Sequence, residues 1–168
     1  NASGEVRGGE AIPSLAQCRE AALLRKSERK LRRFAPRCPD LWSGSFTTID
    51  YPGASYLTDL SAINNFDQIV GRYMPSPGDE HGFEYHKGTF TTIDYPGATD
   101  TAPRGINDSN HIVGRYRLIP GTALGFHYYD GVFSPVDYPG RDENPRDINN
   151  AGHIVGEVEG LSGFFLRW

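Results

Sequence analysis

The nine residues FTTIDYPGA occur at Phe46–Ala54 and again at Phe90–Ala98, and a looser copy, FSPVDYPGR, begins at Phe133. Repetition at a spacing of 44 and then 43 residues constrains the fold more than any other feature. A unit repeated at a fixed period buries its faces against its neighbours. Aligned from these starts, the match runs on through IN, IVG and GF in all three copies. Length changes fall only between YPG and IN and between IVG and GF. Those segments read as loops, and the blocks between them as structural elements.

Each block has the chemistry of a strand. FTTIDY is β-branched and aromatic and closes on Pro-Gly. The segments ending in IN and beginning at IVG flank NFD, DSN or NAG, which is Asn/Asp/Gly turn chemistry joining a hairpin. GFEYHKG alternates, with Phe83 and Tyr85 on one face and Glu84 and His86 on the other. Four strands of about five residues with short turns need about 40 positions, which leaves little room for a helix. The expectation is an all-β domain of three four-stranded meander repeats, residues 46–89, 90–132 and 133–168. A period near 43 with four strands is the footprint of a β-propeller blade, three of them making half of a six-bladed ring. A β-trefoil, also built from three four-stranded repeats, is the alternative.

The blocks TIDYPGAT, GINDSNHIVGRY and GFHYYDG resemble the HAF-type extracellular bacterial repeat, whose usual form runs close to TIDxPGAT…GINNxGQIVGxY…HGFLYxxG. The resemblance covers residues 46–168. It implies a secreted or surface-located bacterial protein with propeller-like repeats. His111 and His153 depart from the pattern, standing where the family tends to have Gln, as Gln68 does. Only the first copy keeps the HGF triplet, at His81–Phe83.

Residues 1–45 differ in kind. They hold nine Lys/Arg against five Asp/Glu, whereas residues 46–168 hold eight against sixteen, so a basic arm precedes an acidic body. The stretch 14–34 reads as a helix: Ser14 and Gln17 form a capping box, Glu28 supports Arg32 at i+4, and Pro36 stops it. The arm lacks interleaved aromatics and the acidic body repels phosphates, which argues against nucleic acid as a partner. No apolar run approaches the roughly 18 residues of a membrane span. Cys18 and Cys38, the only cysteines, both lie in the arm. A secreted context favours a bond between them, and chain reach requires the helix then to end near Leu31; a helix continuing to Phe34 leaves them free or paired between chains.

Two polar columns persist in every copy: Asp50, Asp94 and Asp137, and Asn64, Asn107 and Asn149. The Asn column reads first as Asx-type turn chemistry and the Asp column as a cap on the YPG turn. Tyr51, Tyr95 and Tyr138, each beside Pro-Gly, are candidate stacking residues for a ligand, with the Asp column beside them. Glu84 and His86 share a strand face at a spacing able to serve a divalent metal, although no second motif at zinc spacing accompanies them. His111 and His153 are the catalytic candidates. No nucleophile elbow, HExxH or Walker loop is present, so no motif names a reaction.

The expected function is therefore an extracellular module binding glycan or protein through its loops. The alternative is a metal-dependent hydrolase of esters, lactones or phosphotriesters, with the Asp and Asn columns as divalent-metal ligands and a His as base. Three repeats leave two open ends, so the chain is expected to pair with a second copy as a homodimer that completes a six-bladed ring.

Overall fold

A computed structural model of the chain describes residues 45–118, 122–137, 142–158, 160 and 163–167. The chain divides into two compact units, Asn1–Thr47 and Thr48–Trp168. The helix expected over 14–34 and the pairing of Cys18 with Cys38 lie outside the described residues. Among those residues no helix is long and apolar enough to cross a membrane.

The described residues form eleven strands in three antiparallel sheets. The first is β1 (Leu57–Ile63), β2 (Ile69–Met74), β3 (His81–His86) and β4 (Thr89–Ile93), paired in chain order. The second repeats it with β5 (Asp100–Ile106), β6 (Ile112–Arg117), β7 (Leu124–Tyr129) and β8 (Val132–Val136). The third holds β9 (Glu143–Ile148), β10 (Ile154–Val158) and β11 (Gly163–Leu166). Every ladder joins strands of a single sheet; one isolated parallel bridge, Glu80 to Asp100, links the first sheet to the second.

The meander starts at a different point from the repeat in the sequence. TFTTI is the fourth strand of a sheet, not the first, and the chain passes to the next sheet at Tyr-Pro-Gly. Turn geometry decides this. Lys87 and Gly88, and likewise Asp130 and Gly131, both have positive φ, the two-residue hairpin that ties the GF strand to the one after it. The first FTTIDY copy, expected as a strand, is unpaired: residues 45–50 belong to no strand and Phe46 is fully exposed. No described strand precedes it to act as the partner that β3 is for β4.

Close approach explains two of the repeated glycines. β1, β5 and β9 each carry a bulge directly opposite the glycine of IVG, shown by the register shifts beside Leu60, Pro103 and Pro145. A Cβ on Gly71, Gly114 or Gly156 would stand 2.2, 2.3 or 2.5 Å from a carbonyl oxygen of the bulged strand. The glycine of GF also serves the contact between sheets. A Cβ on Gly82 would meet the Pro103 ring at 2.6 Å, and one on Gly125 the Pro145 ring at 2.9 Å. Successive sheets thus pack face to face, the second and third strands against the next first strand. The cores lie between them: Val70, Ile93, Ile106, Ile112, Tyr116 and Phe126 join the first two sheets, and Val113, Val136, Ile148 and Ile154 join the second to the third.

Candidate functional site

The Asn column builds the turns at one end of the sheets. Asn64 Oδ1 accepts from the backbone N–H of Phe66 and Gln68, Asn107 Oδ1 from Ser109 and His111, and Asn149 Oδ1 from Ala151 and His153. This is the Asx arrangement expected from the sequence. The amide reaches further than expected. Asn64 Nδ2 donates to the Asn107 carbonyl at 3.0 Å, and Asn107 Nδ2 to that of Asn149 at 3.1 Å. The column is a ladder running from sheet to sheet. A second rung lies beside it: Asp108 accepts from Asn65 and Asn150, and their amides hold its carboxyl below the usual range.

Between two of these turns lies a cavity of about 300 Å³, lined by Asn107, Ser109, His111 and His127 on one side and by Ile148, Asn150, Ala151 and Gly152 on the other. His111 Nδ1 lies 2.8 Å from His127 Nε2, so one ring donates and the other accepts. The His111 ring also stacks on Tyr129, with centroids 4.1 Å apart and planes 8° apart. Burial, and then the His111 charge, push the His127 pKa below the ordinary imidazole value. The lowered pKa favours the neutral form of the His127 ring. The Ser109 hydroxyl makes no hydrogen bond to either ring among the described residues, so no nucleophile–base pair is assembled there.

The same two positions are occupied differently in each repeat. Gln68 Nε2 donates to Glu84 Oε1 at 3.0 Å in the first sheet, while His153 meets the Phe165 ring edge-on in the third. His111 and His153 are thus not brought together, and only His111 lines the cavity. Glu84 is engaged by Gln68, and His86 ends β3. Among the described residues no group of three or more His, Cys, Asp or Glu is placed to hold a metal ion.

The other sequence candidates lie elsewhere. Tyr51 and Tyr95 are half-buried and stack flat on Tyr73 and Tyr116, with centroids 3.6 Å apart in both pairs. Phe90 and Phe133 meet them edge-on. Tyr138 lies outside the described residues. Asp94 accepts from the Gly82 N–H and bonds His81 Nδ1 at 2.8 Å, while Asp79 takes His81 Nε2. Burial opposes protonation of His81, but its two carboxylate partners outweigh it and raise its pKa. Asp50 and Asp137 are exposed.

Two features escaped the sequence reading. His127 was visible only as an alternating residue on β7, and its partner lies one hairpin away. Glu80 is buried at 5% exposure and pairs with Arg72 at 2.6 Å and Arg115 at 3.1 Å, clamping the first sheet to the second. Its position in a variable loop carried no repeat signal. Comparison with protein-family models, with curated proteins and with solved structures finds no match to this chain.

Proposed function

We propose that this chain is an extracellular repeat-type interaction module of the HAF kind that binds a glycan or protein group through the turns at one end of its sheets. The cavity between the Asn107–His111 and Asn149–His153 turns carries this reading. Its volume of about 300 Å³ lies at the lower end of small-ligand pockets. It combines a flat imidazole face, backed by Tyr129, with hydroxyl and imidazole hydrogen-bonding groups, the pairing of apolar face and polar edge that a sugar ring or a planar side chain requires. The hydrolase alternative fits less well. Asn64 and Asn107, offered as metal ligands, are occupied by backbone bonds on both oxygen and nitrogen.

The module is further proposed to be half of a six-bladed propeller-like ring. Pairing confined within each sheet supports blades over a trefoil, whose barrel joins strands of different repeats. Titration calorimetry of the full chain against neutral oligosaccharides tests the binding role. A saturable heat lost in His111→Ala, with the melting temperature retained, is expected. Binding that survives both His111→Ala and His127→Phe, or ester turnover abolished by a chelator, overturns it.

A further inference from the structure

The bulge in the first strand of each sheet pushes one residue out of the ladder: Ser61 in β1, Arg104 in β5 and Arg146 in β9. A bulge re-aims the side chain that it releases, and bulges are over-represented beside functional sites. The two arginines meet different surroundings. Arg146 Nη2 donates to Glu157 Oε2 at 2.8 Å. The residue equivalent to Glu157 in the second sheet, also directly after IVG, is Arg115. Arg115 is held by Glu80, which already holds Arg72. Asp59 pairs with Arg72 as well.

Arg104 is left over. It is half-buried, it makes no hydrogen bond or ion pair among the described residues, and its Nε is sealed from solvent without a partner. The charges that act on it are those of Arg115, Arg72 and Arg146, opposed by Glu80, and with burial as the largest cause they lower its pKa. A guanidinium in that position stays charged and is costly unless an acceptor meets it.

We propose that Arg104, released from the ladder by the β5 bulge and with its Nε unpartnered, forms a site for the oxyanion of a small ligand, a carboxylate or a phosphate group. The guanidinium fork matches both groups bidentately. The acidic body, with eight Lys/Arg against sixteen Asp/Glu, disfavours a polyanion at the same place, so the ligand is a single small anion. The site is built on the bulge of strand β5 and owes nothing to the histidine pair.

Thermal unfolding of the full chain tests this in sodium phosphate, sodium glucuronate and glucose, each against sodium chloride at matched ionic strength. A saturable rise of several degrees is expected with an anion and none with glucose. A response to phosphate alone or to glucuronate alone identifies the source of the oxyanion. Arg104→Met is expected to melt in chloride no lower than the parent, because it removes an unpaired charge, and to lose the anion response. Arg104→Lys keeps a weakened response, and His111→Ala keeps it in full. No anion-specific rise in the parent chain overturns the site, as does a full response in Arg104→Met. A lower melting point of Arg104→Met in chloride also overturns it, since Arg104 then has a structural partner.

Discussion

At the scale of single residues, Asn107 and the His111–His127 pair carry separable consequences. Asn107 is 4% exposed and satisfies two backbone N–H groups and one carbonyl. Asn107→Ala leaves buried backbone groups without partners, a loss of about 2 kcal/mol. Asn149→Ala removes the same turn bonds at an exposed position where water replaces them, so its effect is smaller. Urea unfolding of both variants checks the order, and equal stability of Asn107→Ala and the parent refutes the structural role. The histidines add a pH dependence. The His127 pKa is lowered in the folded chain, so the neutral ring's contribution is complete above the unfolded value of about 6.5 and is lost as pH falls through the folded value. His81 acts in the opposite sense, its raised pKa giving stability that is lost as pH rises above about 6.5. His127→Phe copies the Phe165 of the third sheet and isolates the first effect. The difference in melting temperature between parent and His127→Phe is expected to change as pH falls below about 6.5 and to be flat from pH 7 to 8.

At the scale of strands, the repeated IVG marks where a bulged strand crosses its neighbour. A Cβ on Gly114 would stand 2.3 Å from the Ala102 carbonyl oxygen and 2.9 Å from the Phe126 ring. Neither a ladder carbonyl nor a fully buried ring is free to move, so Gly114→Ala is expected to destabilise by about 3 kcal/mol. Denaturant unfolding that moves by less than a third of this would show that the bulge relaxes. The strands were legible in the sequence because alternation, β-branching and turn residues act locally. Asp67, Asn110 and Gly152 adopt positive φ in equivalent turns, as their residue types anticipate. The start of the meander was not legible, since a repeat read from Phe46 or from Leu57 has the same period. Only the hairpin at Lys87–Gly88 against the open Tyr-Pro-Gly passage fixes it. The bulges left no pattern either, and with them went the significance of Arg104. Tyr51 and Tyr95 read as ligand-facing from their place beside Pro-Gly, whereas their partners Tyr73 and Tyr116 lie on strands more than 20 positions on.

At the scale of the molecule, the two end faces differ from every internal one. Ile106 and Ile148, each 5% exposed, and the fully buried Pro103 and Pro145 are covered by the preceding sheet. Their first-sheet equivalents, Ile63 at 60% and Leu60 at 45%, are exposed. Burying an aliphatic side chain of this size is favourable by roughly 1.5–3 kcal/mol, so this face favours a cover. The opposite face has the matching recess. Gly82 and Gly125 receive the prolines of the next sheet, while a Cβ on Gly163 would meet only the Gly156 carbonyl oxygen, at 3.2 Å. Among the described residues the third sheet has three strands where the others have four. A second copy related by a two-fold axis would set the Leu60 face of one chain on the Gly163 recess of the other, twice over. Six sheets then fall within the four to eight that close a propeller. Light scattering of the full chain is expected to give twice the 18.6 kDa chain mass. Leu60→Arg, which places a charge on one face, and Gly163→Leu, which fills the recess on the other, are each expected to yield monomer. A folded monomer in the parent chain at micromolar concentration refutes the ring, and a dimer that survives both substitutions shows that the copies join through another surface.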